Sequence, residues 1–176
     1  IMNNDRFHWI LDAGHGGLHP KTGEYQTRGK RSPIFPTPNK YEGEVLYEGV
    51  RNRQVLKCLK ELLDENDFKY SVVSEDWKDN SLSDRVSKAN KIAETKDNCI
   101  YVSIHHKGLR LASVFNSNVV EEMGWRNRGI KTANFYVLKY TSMPSVLTEN
   151  GFMTNLKEAE VLMSDEGSYQ ICLSHF

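Results

Sequence analysis

The sequence predicts a layered α/β fold. Three observations carry it. Short apolar strands alternate with amphipathic helical runs along the chain. Cys99 to Ile104 is apolar on both faces, as a strand in the middle of a sheet must be. The run from Leu46 to Glu65 repeats Val55, Leu59 and Leu62 at helical spacing, with Leu56 and Leu63 beside them. A length of 176 residues suits one domain spanning residues 1–176, large enough for a real core.

Taken in order, His8 to Asp12 is a short apolar strand. Residues 13–43 form a long irregular segment rich in Gly, Pro, Lys and Thr, which reads either as functional or as a solvated surface loop. The helix Leu46 to Glu65 follows, then a strand over Lys69 to Val73. Ser81 to Glu94 is a second helix, with Ser81 or Ser83 as N-cap and Leu82, Val86, Ala89 and Ala93 on one face. Asp76, Asp79, Asp84 and Arg85 around it read as surface and capping residues. After the Cys99 strand, Leu111, Phe115, Val119 and Met123 recur at steps of four and predict a third helix. Phe135 to Lys139 and Val146 to Thr148 are expected strands around the Ser142-Met143-Pro144 turn. Two short helical runs close the chain, the last with Tyr169, Cys172, Leu173 and Phe176 as its apolar stripe.

Composition excludes several classes. Lys plus Arg is 23 and Asp plus Glu is 23, so no net charge pulls the chain toward nucleic acid or an anionic membrane. No apolar stretch approaches the roughly 20 residues that span a bilayer. Neither nucleic acid nor membrane is an expected partner, and the chain is expected to be a monomer. The opening Ile1 to Arg6 has no apolar signal region, so no export signal is expected. Cys58, Cys99 and Cys172 are dispersed, which argues against a disulfide framework or a thiolate metal site. Arg28, Lys30 and Arg31 could meet an anionic substrate or simply be solvated.

Four residues stand out chemically: His15, Glu48, His105 and Glu149. Two imidazoles and a carboxylate are the ligand set of a hydrolytic zinc ion with one open position, and a further carboxylate is its proton carrier. His15, His105 and Glu149 each fall just past a predicted strand, where sites in open α/β sheets form. Taken singly, each has a plainer reading. His15 beside Gly16 and Gly17 suits a turn. His105 and His106 point to opposite faces if the strand persists, and periodicity does not say which face holds the site. Glu48 heads the stripe Asn52, Val55, Leu59 and Leu62, where a buried carboxylate needs a partner; it also suits a helix first turn, and Glu42 and Glu44 compete with it. His8, His19 and His175 show no partner pattern and read as structural.

Five segments together resemble a known family. They are Leu11-Asp12-Ala13-Gly14-His15-Gly16-Gly17, Glu48 with Asn52, Arg85 with Ala89-Asn90, Ser103-Ile104-His105, and Pro144 to Asn155. In this order they resemble the zinc-dependent N-acetylmuramoyl-L-alanine amidases of the Amidase_3 type, cell-wall hydrolases of bacteria and their phages. The resemblance implies a single-domain, three-layer fold with a twisted mixed β-sheet flanked by helices. It implies that His15, Glu48 and His105 bind zinc and that Glu149 is catalytic. It implies peptidoglycan as partner and the amide between N-acetylmuramic acid and L-alanine as the bond cut, at the cell wall; an endolysin would stay cytoplasmic until lysis. A zinc peptidase cutting within the stem peptide is the rival enzyme, though His-Glu-x-x-His and His-x-x-Glu are lacking. A non-catalytic wall-binding module is the other rival. One departure is plain: the family's strand and loop after the second histidine are replaced by His106-Lys107-Gly108 and, almost at once, the Leu111 helix.

Overall fold

The computed structural model describes residues 6–74, 76–105, 112–127, 129 and 134–176. Four strands, β1 (His8–Ala13), β2 (Lys69–Val72), β3 (Cys99–His105) and β4 (Ser145–Glu149), form one sheet in the order β2-β1-β3-β4. Every pairing is parallel, with His8 opposite both Lys69 and Cys99, and His105 opposite Glu149. The expected α/β class stands, but the sheet is wholly parallel among the described residues rather than mixed. The inner strands are β1 and β3, as the two-faced apolar run at Cys99 predicts.

Helices α1 (Glu48–Glu65), α5 (Leu156–Met163) and α6 (Asp165–His175) cover one face. Their core packs against Leu11, Ala13, Val102, Ile104 and Val146. Helices α2 (Leu82–Ala93) and α4 (Tyr136–Tyr140) cover the other, over Ile10, Tyr101 and Leu147. Strand alternation sends these two sets to opposite faces, and burial on both sides explains the near-continuous apolar runs. Helix α3 (Ala112–Met123) packs against α6 and β4. Leu111 and His106, both singled out in the sequence, lie outside the described residues.

Three expectations fail for local reasons. Phe135 to Lys139 is not a strand: Tyr136–Tyr140 is a short helix. Parallel β3 and β4 require a crossover, and α4 supplies its last leg. Asn90 closes that helix, accepting from Ser142 N at 2.8 Å and donating to Tyr140 O at 2.9 Å, which overrides the strand preference of the aromatic residues. The stripe of α6 is also displaced: Tyr169, Leu173 and Phe176 are exposed, while Ile171, Cys172 and His175 are buried. In α2, Leu82 is likewise exposed, although Ser81 does cap the helix, accepting from Asp84 N at 3.1 Å.

His175 takes a core position because both ring nitrogens are satisfied. Nδ1 lies 2.7 Å from Ile171 O, so it must carry the proton, and Nε2 accepts from Thr148 Oγ1 at 2.7 Å. Burial holds its pKa down at about 4. The unfolded chain has an ordinary histidine pKa of about 6.5 and takes up a proton first. Stability is therefore full above pH 6.5 and is lost as pH falls toward about 4, by about 2–3 kcal/mol at pH 4.5. Urea unfolding at pH 7 and 4.5 checks this; His175→Gln should remove that part of the pH dependence.

Candidate metal centre

The strand order reverses between β1 and β3. The chain steps from β1 to β2 on one side, then returns to place β3 on the other. Such a switch point opens a crevice beyond the carboxyl ends of the two strands. His15 lies two residues past β1 and His105 ends β3, so both reach this crevice. Glu48, the first residue of α1, enters from the helix layer.

These three side chains converge. Glu48 Oε1 lies 3.1 Å from His15 Nε2 and 3.1 Å from His105 Nδ1. The imidazoles meet edge to face, with centroids 4.8 Å apart. The three ligand atoms all lie within 4.8 Å of one another. Glu48 is only 3% exposed, whereas Glu42 and Glu44 are exposed, so the structure separates the three competing acids. Burial pushes the Glu48 carboxyl up, but hydrogen bonds and charge from His105 and His15 outweigh it and hold it far below the usual range. Burial lowers the His105 pKa, with Glu48 opposing. Two ring nitrogens and one carboxylate oxygen aimed at a common point suit a divalent cation of borderline softness, and zinc fits this donor set.

Backbone clamps fix the donors. Asn52 Nδ2 donates to Gly14 O at 2.9 Å, one helical turn from Glu48. Asn150 grips His105 O twice, from its backbone N at 2.9 Å and from Nδ2 at 3.1 Å. Glu149, half-buried, is the register partner of His105 on β4, so both side chains project from the same face of the sheet rim. His15 has φ +61°, a left-handed conformation that costs a non-glycine residue roughly 1–3 kcal/mol. Gly14 is required by a close approach: a Cβ there would lie 2.2 Å from the His105 ring. Gly14→Ala should displace that ring and weaken zinc binding at least about tenfold, read by titration against a chelating dye.

Beneath the cluster lies a charged network that sequence reasoning missed. Asp12, fully buried, accepts from Tyr101 OH at 2.7 Å, Ser103 Oγ at 2.8 Å and Arg85 Nη1 at 3.3 Å. Burial alone would raise the Asp12 pKa; the Arg85 charge and the hydroxyl hydrogen bonds bring it below the ordinary value. Arg85 is buried, not a surface residue, and its Nη2 also reaches Asp79 Oδ1 at 3.3 Å. A signal was present: Asp12 shares a strand face with Ile10, and Arg85 lies four residues before Ala89 on the buried side of α2. Other expectations held. His8 bonds Ser71 Oγ, and His19 packs on Trp77 while its Nδ1 accepts from Lys21 and Thr22 N. Arg28, Lys30 and Arg31 are exposed, which suits an anionic substrate and plain solvation alike.

A parallel α/β sheet with a His–Glu–His cluster at its switch point defines an α/β domain whose site could hold a metal ion. Comparison with known proteins shows what the chain is similar to. The profile of the Amidase_3 family, described as N-acetylmuramoyl-L-alanine amidase, matches residues 106–174. A sporulation-specific N-acetylmuramoyl-L-alanine amidase of Bacillus subtilis is 25% identical over 182 residues, covering 94% of this chain and 64% of the relative. The amidase CwlM of Bacillus licheniformis is 37% identical over 76 residues, covering 43% and 30% respectively. The crystal structure of an N-acetylmuramoyl-L-alanine amidase from Clostridium difficile 630 superposes with a TM-score of 0.70 at 25% identity, covering 97% of this chain and 92% of that one. The likeness to N-acetylmuramoyl-L-alanine amidases read from the sequence is borne out: residues 106–174 match the Amidase_3 profile and the chain has the fold of amidase catalytic domains. It spans less than two thirds of the length of the curated relatives it matches.

Proposed function

We propose that residues 1–176 form the catalytic domain of a zinc-dependent N-acetylmuramoyl-L-alanine amidase. Its substrate is peptidoglycan, and it cleaves the amide between N-acetylmuramic acid and the L-alanine of the stem peptide. The observation that carries this reading is the convergence of His15, Glu48 and His105 beside Glu149.

In this reading His15 Nε2, Glu48 Oε1 and His105 Nδ1 hold the ion. Zinc bound there supplies a Lewis acid that activates water at neutral pH and polarises the scissile carbonyl. Glu149 accepts the proton of the attacking water on a carboxylate oxygen and returns it to the departing amine nitrogen of L-alanine. Asn150 and Asn52 keep the donors from swinging as charge shifts. The protein acts at the cell wall as a monomer, with no nucleic-acid or membrane partner. No helix among the described residues is long and apolar enough to cross a membrane.

The test is a turbidity assay on purified cell walls, with product analysis. One zinc per chain, activity abolished by chelation and restored by zinc, and a new L-alanine amine are expected. Full activity in metal-free protein sinks the metal role. Release of a single amino acid identifies a peptidase instead.

A further inference from the structure

Arg53 lies on α1, five residues past Glu48, and its guanidinium gathers backbone carbonyls. Nη1 donates to His15 O at 2.7 Å and to Gly49 O at 3.0 Å. Nε donates to Asp76 O at 2.7 Å, and Nη2 to Lys78 O at 3.2 Å. Three separate segments therefore meet on one side chain: the loop after β1, the start of α1 and the loop before α2. The planar fork of arginine, with five N–H donors, can span them; a lysine ammonium cannot.

The same spot is packed closely. The backbone of Gly16 lies against α1, where a Cβ on Gly49 would come within 1.9 Å of Gly16 O. Gly16 N donates to Thr27 Oγ1 at 2.7 Å, and Gly17 N to Trp77 O at 2.8 Å. These bonds hold the peptides that follow His15. Arg53 alone among them grips the carbonyl of His15 itself, the residue with the left-handed backbone.

We propose that Arg53 is a positioning residue for the metal centre. By fixing the His15 carbonyl it sets the direction of the imidazole, so metal affinity depends on a side chain placed against the loop and not in the donor set. This rests on the metal reading above. It also accounts for how a strained histidine keeps one orientation in a long loop without regular secondary structure.

The test is zinc affinity in purified wild-type, Arg53→Ala and Arg53→Lys proteins, measured by competition with a chelating dye, with thermal unfolding in parallel. Both variants should bind zinc about 10–100-fold more weakly. Cobalt substituted for zinc should show an altered d–d absorption band in Arg53→Lys. Leu59→Ala, which destabilises the core of α1 away from the site, should keep wild-type affinity and band shape. In a His15→Ala background, Arg53→Lys should cost no further affinity, because the ligand it positions is gone. Wild-type affinity in Arg53→Lys, an equal loss in Leu59→Ala, or an undiminished loss in the His15→Ala background overturns the proposal. A wild-type protein that takes up no zinc overturns the metal reading itself, and the wild-type titration tells that failure apart.

Discussion

Glu149→Gln should keep zinc and fold while losing roughly 10²–10⁴-fold in rate. The amide has the shape of the carboxylate and can still accept a hydrogen bond, but it cannot take a proton. Glu149 stands at the rim of β4, opposite His105 in register, next to the donors without being one of the three that converge. That position separates two measurements usually confounded. Zinc stoichiometry and Tm should match wild type, and only turnover of peptidoglycan should collapse. Near-normal turnover would refute the role of Glu149 and point to another base; loss of zinc would make it a ligand.

Arg85→Met should destabilise the protein by about 3–5 kcal/mol, because it strands the Asp12 carboxylate in the interior. Asp12 is fully buried and Arg85 is 2% exposed, so solvent cannot replace the lost guanidinium. Tyr101 and Ser103 still donate to Asp12, but neither carries charge. For a chain of this size the Tm should fall by roughly 6–20 °C. Lys88→Met is the control, since the exposed pair Lys88–Asp84, 3.0 Å apart, should be worth about 1 kcal/mol or less. Similar losses in the two variants would show that the Asp12–Arg85 pair contributes no more than a surface contact.

The elements that bury a plain apolar face were legible in the sequence. β1, α1, β3 and β4 fall within two residues of the pattern read from periodicity, because hydrophobic burial decides them. The elements that were misread are those where a polar group decides. His175 displaces the expected stripe of α6 because its two hydrogen bonds make an imidazole acceptable in the core. Asn90 converts an aromatic strand pattern into α4. Arg85 looks like a solvated cation until its carboxylate partner, on a strand far away in sequence, is brought beside it. The site shows the same division. His15, Glu48, His105 and Glu149 were all named from the sequence, but local patterns left the choice among Glu42, Glu44 and Glu48 open. Arg53 carries no sequence signal at all, since the carbonyls it collects belong to loops whose meeting is set by the tertiary fold.

The wholly parallel sheet bears on how the protein matures. Among the described strands no pair can close through a hairpin; each needs a crossover, so native contacts are mostly remote and folding is slow compared with hairpin-built or helical chains. The His–Glu–His cluster draws on β1, the helix that follows it and β3, and therefore does not exist before those two strands find their register. In the proposed function zinc would meet no preformed site in the unfolded chain, so its binding free energy would add directly to folding, about 2.7 kcal/mol at a free concentration one hundred times Kd. Glu149 is the last of the four in chain order, on the last of the four described strands. In the function proposed above, the three metal donors could thus come together before the proton carrier is in place, and hydrolysis would begin only when β4 docks.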